Sequence, residues 1–375
     1  MLRCGCALQR VLPRHHGIPQ HTRSLSQHIP SSPSTSRVIF SGIQPTGIPH
    51  LGNYLGALRQ WVTLQNNSDP STTLIYSLVD LHAITLRQPP AQLRQWKRES
   101  LAMLLAIGLD PKRSTIFHQS TVPAHAELMW ILSCQASTGY LGRMTQWKDK
   151  TSGEREGSEK LKLGLFSYPV LQAADVLVHG ATHVPVGEDQ AQHLEFAREV
   201  ARGFNHVYGN ERGPLVVPET IISSAKRVMS LTDPDAKMSK SHPNPRSRIL
   251  LTDSAEEIKG KINAAITDSI AGVSYDPVQR IGVSNLIDIL YHCTEGVGFA
   301  DQVALAKDMD SSSLRVVKQR VSDAVESQVR PIRERYQEIV DNPQLLEEAS
   351  TQGTQKGKIS ANATLAKVKL AIGLT

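Results

Sequence analysis

Acid is missing from the start of this chain: none of its 375 residues is acidic before Asp69. Residues 1–37 hold five arginines (Arg3, Arg10, Arg14, Arg23 and Arg37) and no aspartate or glutamate. They carry most of the formal net charge of +6; without them the 41 basic residues fall almost level with the 35 acidic ones. The body is nearly neutral, so bulk charge gives no reason to expect nucleic-acid binding, and any RNA contact must come from local patches. Long apolar runs are lacking too. No stretch approaches the ~20 residues that a bilayer-spanning helix needs, so no helix is expected to cross a membrane. Cysteine is scarce: Cys4 and Cys6 lie near the start, and Cys134 and Cys293 stand alone in the body. Neither a disulfide framework nor a zinc site is supported, and no metal ligands are assigned. Both body cysteines are expected to be small core residues. No internal repeat is evident.

What the opening segment does contain is Arg, Ser, Pro and His, with only short apolar pieces around Leu8 to Leu12. Positive charge without acid fits an organelle transit peptide over residues 1–36, with Arg-Ser-Leu-Ser at 23–26 as a processing region. It predicts delivery to the mitochondrial matrix. A disordered tail without an address would share this composition.

From Arg37 the pattern changes to short apolar runs alternating with helical stretches. Strands are expected at 38–41, 73–80, 115–118 and 183–186, and helices at 51–64, 91–107, 124–136, 139–150, 168–178 and 189–204. Alternation of this kind predicts an α/β fold, a Rossmann-like parallel sheet covered on both faces, over residues 37–242. After Pro243 the reading is almost wholly helical. Helices are expected at 254–267, 283–293, 299–308, 311–327, 331–341 and 361–372, giving a C-terminal all-helical domain over 243–375.

Two segments carry chemistry. In Phe40-Ser-Gly-Ile-Gln-Pro-Thr-Gly-Ile-Pro-His-Leu-Gly-Asn-Tyr54 a strand runs into a turn set by Pro45 and Gly47, and a helix begins near His50. A helix N-terminus presents unpaired N–H groups and the positive end of its dipole, which suits a phosphate. Gly52 would let a flat base lie against the backbone, and His50 and Asn53 share one helical face. An ordinary strand-to-helix loop has the same outline. The second segment is Lys237-Met-Ser-Lys-Ser241, preceded by Asp233-Pro-Asp235 and followed by Pro243 and Pro245. Prolines and short polar residues predict a mobile loop. Its two lysines offer positive charge to a triphosphate whose leaving group gathers negative charge.

Together these segments resemble the class I aminoacyl-tRNA synthetases, whose hallmarks are a HIGH-type motif early in a Rossmann-like fold and KMSKS at its end. His50-Leu-Gly-Asn53 stands for the first, with Asn53 replacing the second histidine. Within the class, Gly42-Ile-Gln-Pro-Thr-Gly47, Val79-Asp-Leu-His-Ala-Ile-Thr85 and Gly187-Glu-Asp-Gln190 look like the tryptophanyl-tRNA synthetases. The resemblance runs from about Arg37 to the C-terminus. It implies an ATP site built from Gln44, His50, Leu51, Gly52 and Asn53, from Gly187, Glu188 and Asp189, and from Val228. Lys237, Met238, Ser239, Lys240 and Ser241 would close over the phosphates. Lys240 and then Lys237 would steady the transition state, with His50 and Asn53 assisting, and Lys150 stands where the family often has another phosphate-seeking lysine. It implies L-tryptophan, ATP with Mg²⁺ on its phosphates, and tryptophan tRNA as partners, and a homodimer.

Asp175 is expected to choose the amino acid, with Gln44 and Tyr168 beside it. It is the only charge in Val170-Leu-Gln-Ala-Ala-Asp-Val-Leu-Val178, so it must be desolvated and paired. An indole N–H only donates, which an ionised carboxylate accepts; a structural aspartate bonded to a nearby turn fits the segment equally. His82 is expected either beside this pocket or as a satisfied core histidine. The implied reaction joins tryptophan to AMP and then passes the acyl group to the terminal ribose of tRNA, by positioning and charge stabilisation. The helical region would read the anticodon with Arg315, Lys318, Arg320, Arg330, Arg333 and Arg335, although Glu326, Glu334 and Glu338 make a salt-bridged solvent face an equal reading. A tyrosine-specific synthetase, an inactive paralogue and a small-molecule adenylyltransferase are the rival readings. The GIQPTG and GEDQ segments, the intact phosphate loops and the long helical tail respectively disfavour them.

Overall fold

Along each of three neighbouring strands the side chains alternate between two cores. Ile39, Leu74, Tyr76 and Ile116 enter one, and Phe40, Ile75 and Phe117 enter the other. Burial on both sides is the signature of a parallel sheet sandwiched by helices. The structure, a computed structural model, describes residues 36–145, 147–148, 162–187, 190–209, 213–222 and 227–375. Its strands are β1 (Val38–Ile43), β2 (Thr73–Leu78), β3 (Thr115–His118), β4 (His183–Val186) and β5 (Glu219–Ile222). All pair in parallel, in the order β3-β2-β1-β4-β5. The chain builds outward from β1 to one side, then returns and builds to the other. In such sheets the ends of the two strands at the reversal, here β1 and β4, open into a crevice.

The helices are α1 (Leu51–Asn53), α2 (Arg59–Asn67), α3 (Asp80–Ala83), α4 (Pro90–Ala106), α5 (Ala124–Ser133), α6 (Thr138–Leu141), α7 (Leu163–Leu177) and α8 (Ala191–Tyr208). After these come α9 (Ala255–Asn263), α10 (Ile281–Cys293), α11 (Gln302–Asp308), α12 (Leu314–Val340) and α13 (Pro343–Ala371). Side chains of α9 to α12 share the first core with the sheet, α1, α2 and α4. The second core is filled by α5, α7, α8 and the end of α13.

Several elements differ from the sequence reading for identifiable reasons. β5 was not expected: it is only four residues long and sits at the sheet edge, where pairing with β4 and not an apolar run defines it. The expected helix at 51–64 is interrupted by a π turn (Tyr54–Leu58) between α1 and α2. Separate helices were expected at 311–327 and 331–341, yet α12 runs unbroken through Pro331. Proline forfeits one helical hydrogen bond; here its ring and Ser327, whose carbonyl loses its donor, are both exposed, while Val329 and Ile332 anchor the helix on either side. Cys293 is buried as expected, but Cys134 is exposed just beyond α5.

The largest difference is α13, which starts at Pro343 and not near 361. Residues 349–360 are rich in Gly, Ser and Thr, poor helix formers that hide a helix in the sequence. Tertiary packing overrides that weakness. α13 crosses the edge strand β3, placing Leu346 and Ala349 in the first core and Ala361, Leu365 and Val368 in the second. At the crossing a Cβ on Gly353 would stand 1.7 Å from the Ile116 carbonyl oxygen, and one on Gly357 would touch the Phe117 ring at 3.2 Å. Thr354 bonds Thr121 at 2.9 Å and Lys356 donates to the Pro111 carbonyl at 2.7 Å. The glycines are thus what lets a helix close on the sheet edge.

Candidate active site

Where β1 ends, the chain turns through 44–49 into α1, and His50 is the helix cap. Its Nδ1 accepts from the Asn53 backbone N–H at 3.2 Å, while the Asn53 side-chain oxygen accepts from the His50 N–H at 3.1 Å. This reciprocal cap satisfies two otherwise orphaned donors. With Nδ1 accepting, the proton of the neutral ring lies on Nε2. Burial, then the charges of Lys240, Lys237 and Arg248, lowers the His50 pKa to about 3, so the imidazole is an uncharged donor at physiological pH. A Cβ at Gly52 would press on the His50 ring at 3.1 Å and approach Val228 at 3.5 Å. The glycine therefore also makes room for the capping ring.

The Lys237–Ser241 loop folds back onto this turn. Met238 is buried, its N–H donates to the Val228 carbonyl at 3.0 Å, and Lys237 bridges to Met229. Segment 249–251 pairs with 49–51 through Leu51 N–H to the Ile249 carbonyl (2.8 Å) and Leu251 N–H to the Pro49 carbonyl (3.1 Å). Lys240 Nζ donates to the Gly47 carbonyl at 2.9 Å and approaches the Thr46 hydroxyl at 3.4 Å. Burial lowers its pKa to about 8. Two segments far apart in sequence thus meet as one positively charged corner. Lys237 and Ser241 are exposed beside it, and Ser239 bonds Ser241 at 2.9 Å.

A cavity of about 510 Å³ opens at the β1/β4 switch point. Gln44, Asn53, Tyr168, Asp175 and Gly187 line it, as does His82. Gly56, Ala57 and Leu58 of the π turn also line it, in keeping with the frequency of such turns at functional sites. His50 and the 237–241 loop do not; Asn53, bonded to His50, joins that corner to the cavity.

Asp175 is 2% exposed, and both of its oxygens are engaged. Oδ2 lies 2.7 Å from His82 Nε2; Oδ1 lies 2.7 Å from His125 Nδ1 and 2.5 Å from Gln119 Nε2. Burial alone would raise its pKa, but the two histidines and their hydrogen bonds prevail and hold it at about 2. It is ionised and can only accept. The requirement for pairing is met, by partners the sequence reading did not choose. His82 comes from the end of β2 through α3, Gln119 from just after β3, and His125 from α5. Beyond His125 lie His179 (Nε2 to Nε2, 3.2 Å) and Ser360 (3.0 Å from His179 Nδ1). Tyr168 sets its ring edge-on to His82 and its hydroxyl 3.0 Å from His193 Nε2. Burial raises its pKa to about 12, keeping the phenol neutral. Glu188, Asp189 and Lys150 lie outside the described residues.

A family model described as class I tRNA synthetases (W and Y) matches residues 33–297. The chain is 43% identical to the mitochondrial tryptophan–tRNA ligase of Schizosaccharomyces pombe, covering 91% of this chain and 96% of that one. It is 41% identical to the mitochondrial tryptophan–tRNA ligase of Saccharomyces cerevisiae, covering 90% and 91%. Among solved structures it is similar to the tryptophanyl-tRNA synthetase of Mycoplasma pneumoniae (TM-score 0.79, 30% identity, 91% of this chain and 98% of that one). It is also similar to that of Campylobacter jejuni complexed with ADP and tryptophan (TM-score 0.73, 31% identity, 90% and 99%). Motifs, fold and relatives agree, and the chain belongs to the class I tRNA synthetases of the tryptophan and tyrosine family.

Proposed function

We propose that this chain ligates L-tryptophan to its tRNA through a tryptophanyl-adenylate, for mitochondrial protein synthesis. The observation that carries the reading is Asp175: an ionised, buried carboxylate on the wall of the switch-point cavity, beside the corner formed by His50 and Lys240. Mitochondrial relatives at 41–43% identity support both the amino acid and the compartment. The acid-free leader supports import into the matrix.

In the first step the tryptophan carboxylate attacks the α-phosphorus of ATP. A C–O–P bond forms, the bond to the β-phosphate breaks and pyrophosphate leaves. A carboxylate is already a nucleophile at neutral pH, so this chain supplies position and charge. His50 Nε2–H would meet a phosphate oxygen, and Lys240 and Lys237 the charge gathering on pyrophosphate. Lys240, held on the Gly47 carbonyl, would exchange that oxygen for phosphate. Mg²⁺ enters with ATP on the phosphates. In the second step a terminal ribose hydroxyl of the tRNA attacks the acyl carbon and AMP departs.

For the anticodon, residues 243–375 remain the proposed region, with fewer contacts than the sequence offers. Lys318 donates to the Asn263 and Ala265 carbonyls at the end of α9, Arg320 pairs with Asp308, and Arg333 with Glu326. Arg315, Arg330 and Arg335 are exposed and form no ion pair among the described residues, which leaves them for RNA. The homodimer is proposed from the family alone. The test is exchange of labelled pyrophosphate into ATP with tryptophan, tyrosine or phenylalanine. Exchange with tryptophan alone is expected; exchange with none, in folded protein that binds ATP, refutes the reading.

A further inference from the structure

Asp175 sits at the head of a buried chain that leaves the cavity and ends on α13. His125 contacts it through Nδ1, His179 contacts His125 Nε2 to Nε2 at 3.2 Å, and Ser360 contacts His179 Nδ1 at 3.0 Å. His125 and His179 are 0% and 5% exposed. His179 stacks on Phe40 (5.6 Å, 18°) and lies against Phe117 (5.5 Å). An apolar side chain would fill that slot without bringing polar nitrogens into a low-dielectric interior. A histidine there calls for a polar task.

Proton placement defines the task. Facing an ionised carboxylate, His125 must donate through Nδ1–H, so the Nε2 of its neutral ring is an acceptor. His179 then donates its Nε2–H to that nitrogen, and its own Nδ1 accepts from the Ser360 hydroxyl. Held from both ends in this way, His125 keeps its Nδ1–H on Asp175. A carboxylate has about four acceptor sites. His125 and Gln119 occupy Oδ1 and His82 takes one site on Oδ2. One acceptor site is left, on Oδ2.

We propose that His179 and Ser360 are positioning residues for amino-acid selection: through His125 they hold the Asp175 carboxylate so that one Oδ2 site takes the indole N–H of tryptophan. The inference rests on Asp175 being the indole acceptor, and the test separates the two claims. Tryptophan is compared in pyrophosphate exchange with 3-benzothienylalanine, which has sulfur where tryptophan has N–H. Removing one net hydrogen bond of orientation costs roughly fivefold in affinity. His179→Leu should therefore raise the tryptophan KM about fivefold, leaving kcat, the ATP KM and the analogue's KM unchanged. Ser360→Ala, which deletes only a hydroxyl and serves if the leucine variant fails to fold, should act in the same direction, and Ser360→Thr should restore the wild-type value. Equal rises in both amino-acid KM values, or none, would overturn the proposal and leave the chain a structural strut. Asp175→Asn is the discriminating control. If it leaves the preference for tryptophan intact, Asp175 is not the indole acceptor; if it abolishes the preference while His179→Leu and Ser360→Ala do not, only the positioning chain fails.

Discussion

Gly353→Ala is the substitution whose outcome the structure determines most sharply. In an isolated helix it would help, because alanine exceeds glycine in helix propensity by about 1 kcal/mol. Here the new methyl group would lie 1.7 Å from the Ile116 carbonyl oxygen and 2.7 Å from its carbon. Both are backbone atoms of a paired strand and cannot rotate away. To regain an ordinary contact α13 must retreat by roughly 1.5–2 Å. Overpacking of this kind costs about 1–3 kcal/mol, and the retreat also endangers the Thr121–Thr354 hydrogen bond, worth about 1 kcal/mol net. Set against the propensity gain, the variant should lose about 1–3 kcal/mol. Gly203→Ala is the matched control, since that glycine lies on the exposed face of α8 with nothing within 4 Å of a new Cβ; it should gain stability. Urea unfolding of both variants against the parent checks this, read by far-UV circular dichroism. A Gly353→Ala protein as stable as the parent would show that α13 does not press on β3 as described.

Further outcomes follow from the site. Lys240→Ala combined with Lys237→Ala should reduce adenylate formation by at least about 10²-fold while tryptophan binding survives; single-turnover adenylation and calorimetry read the two separately. Because the Lys240 pKa is lowered to about 8, kcat/KM for ATP should fall as pH rises through 8 and its proton is lost. Lys240→Arg, which stays charged, should erase that limb in a pH profile. His50 holds a pKa of about 3 in the folded protein against 6.5 in the unfolded chain. Below pH 6.5 the unfolded state takes up a proton that the folded state refuses, so stability present at neutral pH is lost toward pH 3, by about 1.4 kcal/mol per pH unit. Burial lowers His118 and His179 in the same direction. His50→Asn, which keeps a capping acceptor, should flatten urea midpoints measured between pH 7 and 5. Arg330→Ala with Arg335→Ala should weaken tRNA charging and leave pyrophosphate exchange unchanged, whereas Arg320→Ala, already paired with Asp308, should do little.

The legible parts of this protein are those whose chemistry is contiguous. His50 to Asn53 and Lys237 to Ser241 can be read in a line because a helix start and a short loop use neighbouring residues. Asp175 stood out because a lone charge in an apolar run announces its own desolvation. Its partners could not be read, since His82, Gln119 and His125 come from separate segments that only the folded sheet brings together, and His179, four residues beyond Asp175, reaches it only through His125. Nothing distinguishes His125 or His179 locally from any other histidine near a helix. The start of α13 was hidden for the opposite reason. Glycines that read as helix breakers in sequence are what its packing needs, so local propensity and tertiary fit oppose each other there. The basic residues of α12 show how composition can overstate an interface: half of those named hold their own fold together.

The strap formed by α13 also governs the order in which this protein can become itself. β3 is a sheet edge, and an uncovered edge is a template for pairing with another chain. Its cover lies more than two hundred residues downstream, at the opposite end of the sequence. A chain emerging N-terminus first, from a ribosome or through an import channel, therefore carries β3 bare until almost the last helix is delivered, and long-range closure of this kind is slow. During that interval chaperone occupancy, and not native structure, must guard the edge. A product truncated before 343 would be left with it permanently open.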